Sequence, residues 1–292
     1  KLADKLSHTA AFITVKFYGL TLKEPIRSLF DAEVIRFYEA MVKQLPSHLK
    51  WYEKSLQSKW WRSFFILWEE LLLPGDLMHI IGRKYYLIKE VETALKRGFQ
   101  QVVVLGSGFD HTAWKAALTG INAFEIDTSY MISEKKRYLT ESGYFVDHLH
   151  LISLDVQEQS IEDVLSEASH FDPDLPTLFI AEGFFDYLNL ETTKDIFEQI
   201  TRISKTSSLI STVFSLDELN AFHRNSFTSG VAMVGESIKL PLNIAGFRSL
   251  LNDYGFKEQA VISYQNMEQD LFKAQGIPYS VLDGFYVVRS EK

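Results

Sequence analysis

Cysteine is missing altogether from the 292 residues. Its absence excludes disulfides, thiolate metal sites and a cysteine nucleophile, and it is compatible with a cytoplasmic setting. Long apolar runs are missing too: no window approaches the uninterrupted length that spans a bilayer, so no membrane partner is expected. Basic residues are in the minority, with 30 Lys and Arg against 38 Asp and Glu and a net charge of −8. A chain so charged lacks the broad basic footprint that holds a polyanion, and no nucleic acid partner is expected. Internal repeats and low-complexity segments are also absent. The sequence starts at Lys1 without an initiator methionine, which leaves a removed targeting peptide open.

What is present is apolar. Hydrophobic residues make up 46% of the chain, ample for one large domain or a domain with an appendage. Residues 1–98 read as a helical cap. Helical spacing runs from Arg27 to Leu45, from Trp60 to Leu73 and from Asp76 to Arg97, with Pro46, Pro74-Gly75 and Gly98 as stops. The aromatics concentrated here (Trp51, Tyr52, Trp60, Trp61, Phe64, Phe65, Trp68) are read as helices packing on each other and on a sheet. From Gln101 strands and helices alternate, which predicts an α/β domain over 99–292: a doubly wound, mostly parallel, Rossmann-like sheet covered on both faces. The two late strands, near 256–264 and 284–289, have no crossover helix between them and predict an antiparallel hairpin at the sheet edge. Two polar, poorly periodic segments, 214–240 and 265–280, read as lids or insertions.

The stretch VVVLGSGFDH, Val102 to His111, carries the first sign of chemistry. A buried strand runs into Gly106-Ser107-Gly108, and Asp110 stands where it can cap the next helix. Glycine allows unusual backbone angles and a close approach of main chain to ligand, and a helix N-terminus offers free amides. The strand INAFEID then ends in Asp127, at the distance where ribose-binding acids sit in doubly wound folds. No Lys-Ser or Lys-Thr pair follows the glycines, so this is not a phosphate loop. The dinucleotide fingerprint lacks its third small residue, where His111 stands, which disfavours an NAD(P)-dependent oxidoreductase. A nucleoside without phosphates fits better, and S-adenosyl-L-methionine is the common ligand of that kind. Parallel strands gather ligands at their carboxyl ends, and there the sequence supplies Gly106, Gly108, Asp127, Asp155 and Glu182.

Four blocks carry a family resemblance. LPTLFIAEGFFDYL (Leu175 to Leu188), VVVLGSGFDHTAW, FEID and GRKYYLIKEVETAL (Gly82 to Leu95) together resemble the leucine carboxyl methyltransferase family. The resemblance spans about Gly82 to Phe256 and implies a class I, S-adenosylmethionine-dependent methyltransferase that releases S-adenosyl-L-homocysteine. It implies that Arg83 pairs with the methionyl carboxylate and that Gly108 lies against it. Asp127 would hold the ribose hydroxyls, Asp155 and Val156 would face the adenine, and Glu182 would lie beside the methionyl amine. Lys16 matches, across a gap, a basic residue near the family's N-terminus.

Methyl transfer from a sulfonium is an in-line displacement, so alignment and exclusion of water suffice, and no metal or nucleophilic side chain is required. A carboxylate acceptor needs no base; a hydroxyl acceptor benefits from one. Candidate bases are His111, His223 in the first lid segment, and Asp186 and Tyr187 after Glu182, with Arg224 as a group that could orient an acidic acceptor. The expectation is O-methylation of a small-molecule acceptor, such as a natural-product intermediate. The alternatives are a protein substrate methylated on its C-terminal carboxylate, the oxidoreductase, and a non-catalytic nucleoside-binding protein.

Overall fold

The computed structural model describes residues 6–154, 159–233 and 235–292. In chain order the elements are α1 (His8–Leu20), α2 (Ala32–Gln44), α3 (Ser47–Gln57), α4 (Lys59–Leu72), α5 (Asp76–Lys96), β1 (Gln101–Leu105), α6 (Thr112–Ala117), β2 (Asn122–Asp127), α7 (Ser129–Glu141), β3 (Leu149–Ser153), α8 (Ile161–Glu167), β4 (Thr177–Ala181), α9 (Leu190–Ile203), β5 (Ser207–Phe214), α10 (Ala221–Met233), α11 (Ile244–Asp253), β6 (Lys257–Ser263) and β7 (Phe285–Glu291). Helix starts are fixed by side chains that accept an orphan backbone amide. Ser7 accepts from Ala10, Thr128 from Met131, Ser160 from Asp163, Asn189 from Thr192 and Asn243 from Gly246.

The strands form one seven-stranded sheet in the order β3-β2-β1-β4-β5-β7-β6. Neighbouring strands from β3 through β5 pair in parallel, and β7 runs antiparallel to both β5 and β6. The expected terminal hairpin is therefore present, with its second strand inserted between β5 and β6. Successive strand residues point to opposite faces, and β1 shows the result. Val102 and Val104 join a core shared with α1, α2 and α5, whereas Val103 and Leu105 join one shared with α9 and α11. Helices cover both faces, and β1, β4 and β5 are accordingly buried along their whole length. This is the class I methyltransferase arrangement, as expected.

Three expectations need correction. Segment 214–240 is not irregular: it contains α10, a 13-residue helix with no buried residue, so no apolar stripe announces it. In segment 265–280, Met267–Lys273 is π-helical, with Met267, Leu271 and Phe272 buried. The aromatics of α4 also depart from the expected internal packing. Within that helix only Arg62 and Ile66 are buried, while Trp60, Trp61, Phe64 and Trp68 are exposed. The side chains of Trp51 and Tyr52 lie outside the described residues.

Candidate functional site at the strand tips

Leaving β1, the chain turns through Gly106 (φ +63°) and Gly108 (φ +48°), both in the left-handed region that side chains disfavour. Space requires glycine as well. A Cβ on Gly106 would meet the Phe184 ring at 2.6 Å, and one on Gly108 would meet Ala10 of α1 at 3.1 Å. Asp127, at the tip of β2, accepts the Gly108 amide on Oδ2 and the Thr128 amide on Oδ1, both at 2.7 Å. The glycine turn is thus tied to the next strand through one carboxylate. Burial raises the pKa of Asp127 in spite of those two amides.

Beside this turn lies a buried ionic cluster. Glu182, just past β4, accepts from Arg83 Nε at 2.9 Å and from Lys84 Nζ at 2.5 Å. Lys84 also reaches Asp110 Oδ1 at 3.0 Å, and all four side chains are nearly buried. Burial disfavours the Lys84 charge, but Asp110 and Glu182 outweigh it and hold the ammonium above its ordinary pKa. Burial likewise works against ionised Asp110, and Lys84 and His111 overcome it, leaving that carboxyl below its usual range. A second strut stands below: Lys135 of α7 lies 2.6 Å from Glu125 Oε2 and donates to the Asp110 carbonyl at 2.6 Å.

The helix after the glycine turn starts one residue later than the sequence suggests. Asp110 accepts the Thr112 amide at 3.0 Å and the Thr112 hydroxyl at 2.6 Å, so it caps α6 from just outside. Arg83, Gly106, Gly108, Asp110, Asp127 and Glu182 are brought together around the tips of β1, β2 and β4. Asp155 and Val156 lie outside the described residues.

The remaining candidates sit differently. Lys16 pairs with Glu69 at 3.2 Å and Asp76 at 3.5 Å, so its charge is directed to those acids. It still shares a flank with Arg83, since both lower the proton affinity of buried His79 alongside desolvation. His111 is corrected from base to packing residue. It is buried beside Phe37 and Tyr38, its Nδ1 lies 3.2 Å from the Tyr38 hydroxyl, and burial pushes its pKa down to about 4. His223 stands part-exposed on α10, paired with Asn220 through Nδ1 at 3.0 Å and near enough to Asp283 to act on it electrostatically. Exposed Arg224 donates to the Leu219 carbonyl at 3.0 Å.

Tyr187 and Asp186 stay at the site. Burial raises the Tyr187 phenol, helped by Glu236 and Asp186 and opposed by Arg83. Asp186 is the sharper candidate for proton transfer: burial pushes its carboxyl up to about 7, against the Phe214 amide it accepts at 3.1 Å and the nearby Arg83 charge. Its carbonyl accepts from Lys239 and Leu240, tying down the segment that returns from α10. That segment carries Glu236, which accepts from Ser7 at 3.0 Å and acts electrostatically on both Asp127 and Tyr187. Phe227 of α10 packs on Phe214 and Phe285, close to His79 one turn before Arg83.

The sequence reading missed Lys84 and Lys135, although both were findable. Lys84 falls on the buried stripe Leu77-Ile80-Ile81-Leu87-Val91 of α5, and Lys135 on the Met131-Ile132-Leu139 stripe of α7. A lysine at a core position of an amphipathic helix calls for an anionic partner. Glu236 had no such signal.

With this geometry in hand, comparison with known proteins is informative. The chain spans about half the length of the curated relatives it matches. A provisionally named S-adenosyl-L-methionine-dependent methyltransferase of Mycolicibacterium vanbaalenii is 29% identical over 167 residues, 56% of this chain and 54% of that protein. One of the same description from Mycobacterium ulcerans is 34% identical over 143 residues, 48% of this chain and 44% of the relative. Among solved structures, a DUF574 family protein of Streptomyces avermitilis aligns over 100% of both chains with a TM-score of 0.59 at 12% identity. A provisionally named methyltransferase of Thermobifida fusca aligns with a TM-score of 0.56 at 15% identity, over 77% of this chain and 85% of that one. At such identities the likeness extends to the fold. Residues 49–201, more than half of the sequence and including β1, β2, β4 and Glu182, match the leucine carboxyl methyltransferase family, and the chain belongs to that family.

Proposed function

We propose that this chain is an S-adenosylmethionine-dependent O-methyltransferase acting on a carboxyl or hydroxyl oxygen of a small molecule. The observation that carries the reading is the Arg83–Glu182 pair set against the Gly106–Gly108 turn and Asp127. The donor set fits the cofactor's chemistry. A guanidinium complements its methionyl carboxylate and a carboxylate its ammonium, each by charge-assisted hydrogen bonds. Asp127 keeps acceptor capacity for ribose hydroxyls, since each of its oxygens has taken one amide proton. When bound, the cofactor supplies an activated methyl group on a sulfonium.

The protein's own residues then have three tasks. Arg83 and Glu182 fix the ends of a zwitterion, with Lys84 holding Glu182 in place. Phe227, Phe214 and Phe285 keep water from the region between α10 and the strand tips. Asp186, with its carboxyl near pKa 7, accepts the proton of a hydroxyl acceptor; a carboxylate acceptor would leave it idle. The aromatic enclosure supports a small, partly apolar acceptor over a protein tail.

Calorimetric titration with S-adenosylmethionine tests the reading: the intact chain binds, and Asp127→Ala binds about 10- to 100-fold more weakly, the loss of hydrogen bonds to a charged group. No binding by the intact chain overturns the cofactor assignment. Equal affinity of the variant overturns the ribose assignment.

A further inference from the structure

The exposed face of α4 is the largest feature that the strand-tip site leaves unused. Seven apolar side chains of this 14-residue helix are 50% to 89% exposed: Trp60, Trp61, Phe64, Leu67, Trp68, Leu71 and Leu72. Trp61, Phe64, Trp68 and Leu71 follow the alternating three- and four-residue spacing of a helix-pairing seam, with Trp60 and Leu67 widening it on one side and Leu72 on the other. Phe64 and Trp68 already stack on each other, 6.3 Å apart at 17°. Aromatic side chains of 150–250 Å² each, exposed to this degree, contribute roughly 600 Å², and the leucines bring the stripe to on the order of 900 Å². A monomer rarely leaves so large a contiguous patch to water. A standard interface buries about 800 Å² per partner.

We infer that α4 pairs antiparallel with α4 of a second copy of this chain across a twofold axis. The spacing calls for a helix as occupant, and the exposed area is what one copy of a stable dimer contributes. The charged residues of the helix, Lys59, Glu69 and Glu70, lie off the stripe, flanking the buried Arg62–Ile66 face, so the seam itself is apolar. An antiparallel pair centred at the level of Ile66 sets the two stripes face to face over their whole length and opposes the two helix dipoles. A parallel pair would align the two dipoles side by side in the same sense. An anionic membrane surface is disfavoured by the net charge of −8 and by the face of α4 opposite the stripe, which packs on protein where Arg62 donates to the Leu56 carbonyl.

The absence of native cysteine makes the geometry testable. Sedimentation equilibrium of the intact chain at about 100 µM, above the micromolar range of weak interfaces of this size, reads twice the chain mass. The double variant Trp68→Lys, Leu71→Lys reads one chain mass with an unchanged far-UV spectrum. Leu67→Cys, beside the axis, forms a covalent dimer on mild oxidation, whereas Ser58→Cys does not, because its sulfur is roughly 24 Å from its copy at 1.5 Å per residue. A monomeric intact chain overturns the proposal, and the cysteine pair decides it even if the double variant fails to fold. Equal cross-linking at both positions overturns the antiparallel arrangement. Retention of monomeric chain on phosphatidylcholine and phosphatidylserine vesicles would assign the stripe to lipid instead.

Discussion

The strand tips and helix α4 invert the usual partition of residues in opposite senses. At the tips, Arg83, Lys84, Asp110 and Glu182 are nearly buried; on α4, three tryptophans and a phenylalanine face outward. Removing ions from water carries several kcal/mol per ion, and mutual attraction offsets this only with good geometry. Leaving apolar surface wet forgoes about 25 cal/mol per Å². Both regions sit above the lowest energy available to an isolated chain, and in both the surplus is matched by something outside the chain. On the readings proposed above, a charged small molecule matches it at the tips and a second helix on α4. The difference lies in reversibility. A buried ion cluster must be complete before any ligand arrives, whereas an apolar stripe can be left uncovered without unfolding its helix.

That contrast can be broken most sharply at Lys84. Lys84→Met leaves Asp110 and Glu182 without their shared cation in a buried site and should destabilise the fold by about 3–5 kcal/mol, read by urea denaturation. A change below about 1 kcal/mol would show that the cluster is well solvated.

Asp186 gives an intermediate effect whose sign depends on pH. Its folded-state pKa, raised by burial to about 7, lies above the unfolded value of about 3.9. The stability it contributes is fully present below about pH 4 and is lost as pH rises through about 7. Asp186→Asn, which keeps the acceptor for the Phe214 amide, should therefore gain on the native chain between pH 5 and pH 8 in paired urea titrations. Parallel curves would refute the raised pKa.

The smallest effect is expected on the exposed stripe. Trp60→Gln should change monomer stability by no more than about 0.5 kcal/mol when measured at submicromolar concentration, below self-association. A large loss would mean that Trp60 packs within its own chain.

The two regions also differ in what the sequence makes legible. Strands β1 to β4 are readable because each is a largely apolar run closed within two residues by glycine or an acid, and Glu182 stands out as an acid embedded in such a run. Lys84 is equally readable once α5 is drawn as a helix, because it interrupts an apolar stripe. On α4 the stripe itself is plain, but a hydrophobic period says only that a helix has a partner, not that the partner belongs to the same chain. Helix α10 escaped the reading because none of its residues is fully buried and no apolar stripe marks it. The insertion of β7 between β5 and β6 escaped because pairing partners far apart in sequence leave no local mark.

That insertion has an outcome for biosynthesis. Residues 285–291 fill a slot whose two walls, 207–214 and 257–263, are made earlier on the ribosome. The same strand carries Arg289, which clamps Glu90 on α5 at 2.6 Å across nearly two hundred positions. Loop closure of that length comes late in folding. Until it does, both walls present open backbone edges to solvent or to other nascent chains, and the interval between making the walls and filling the slot is when this protein most needs an escort.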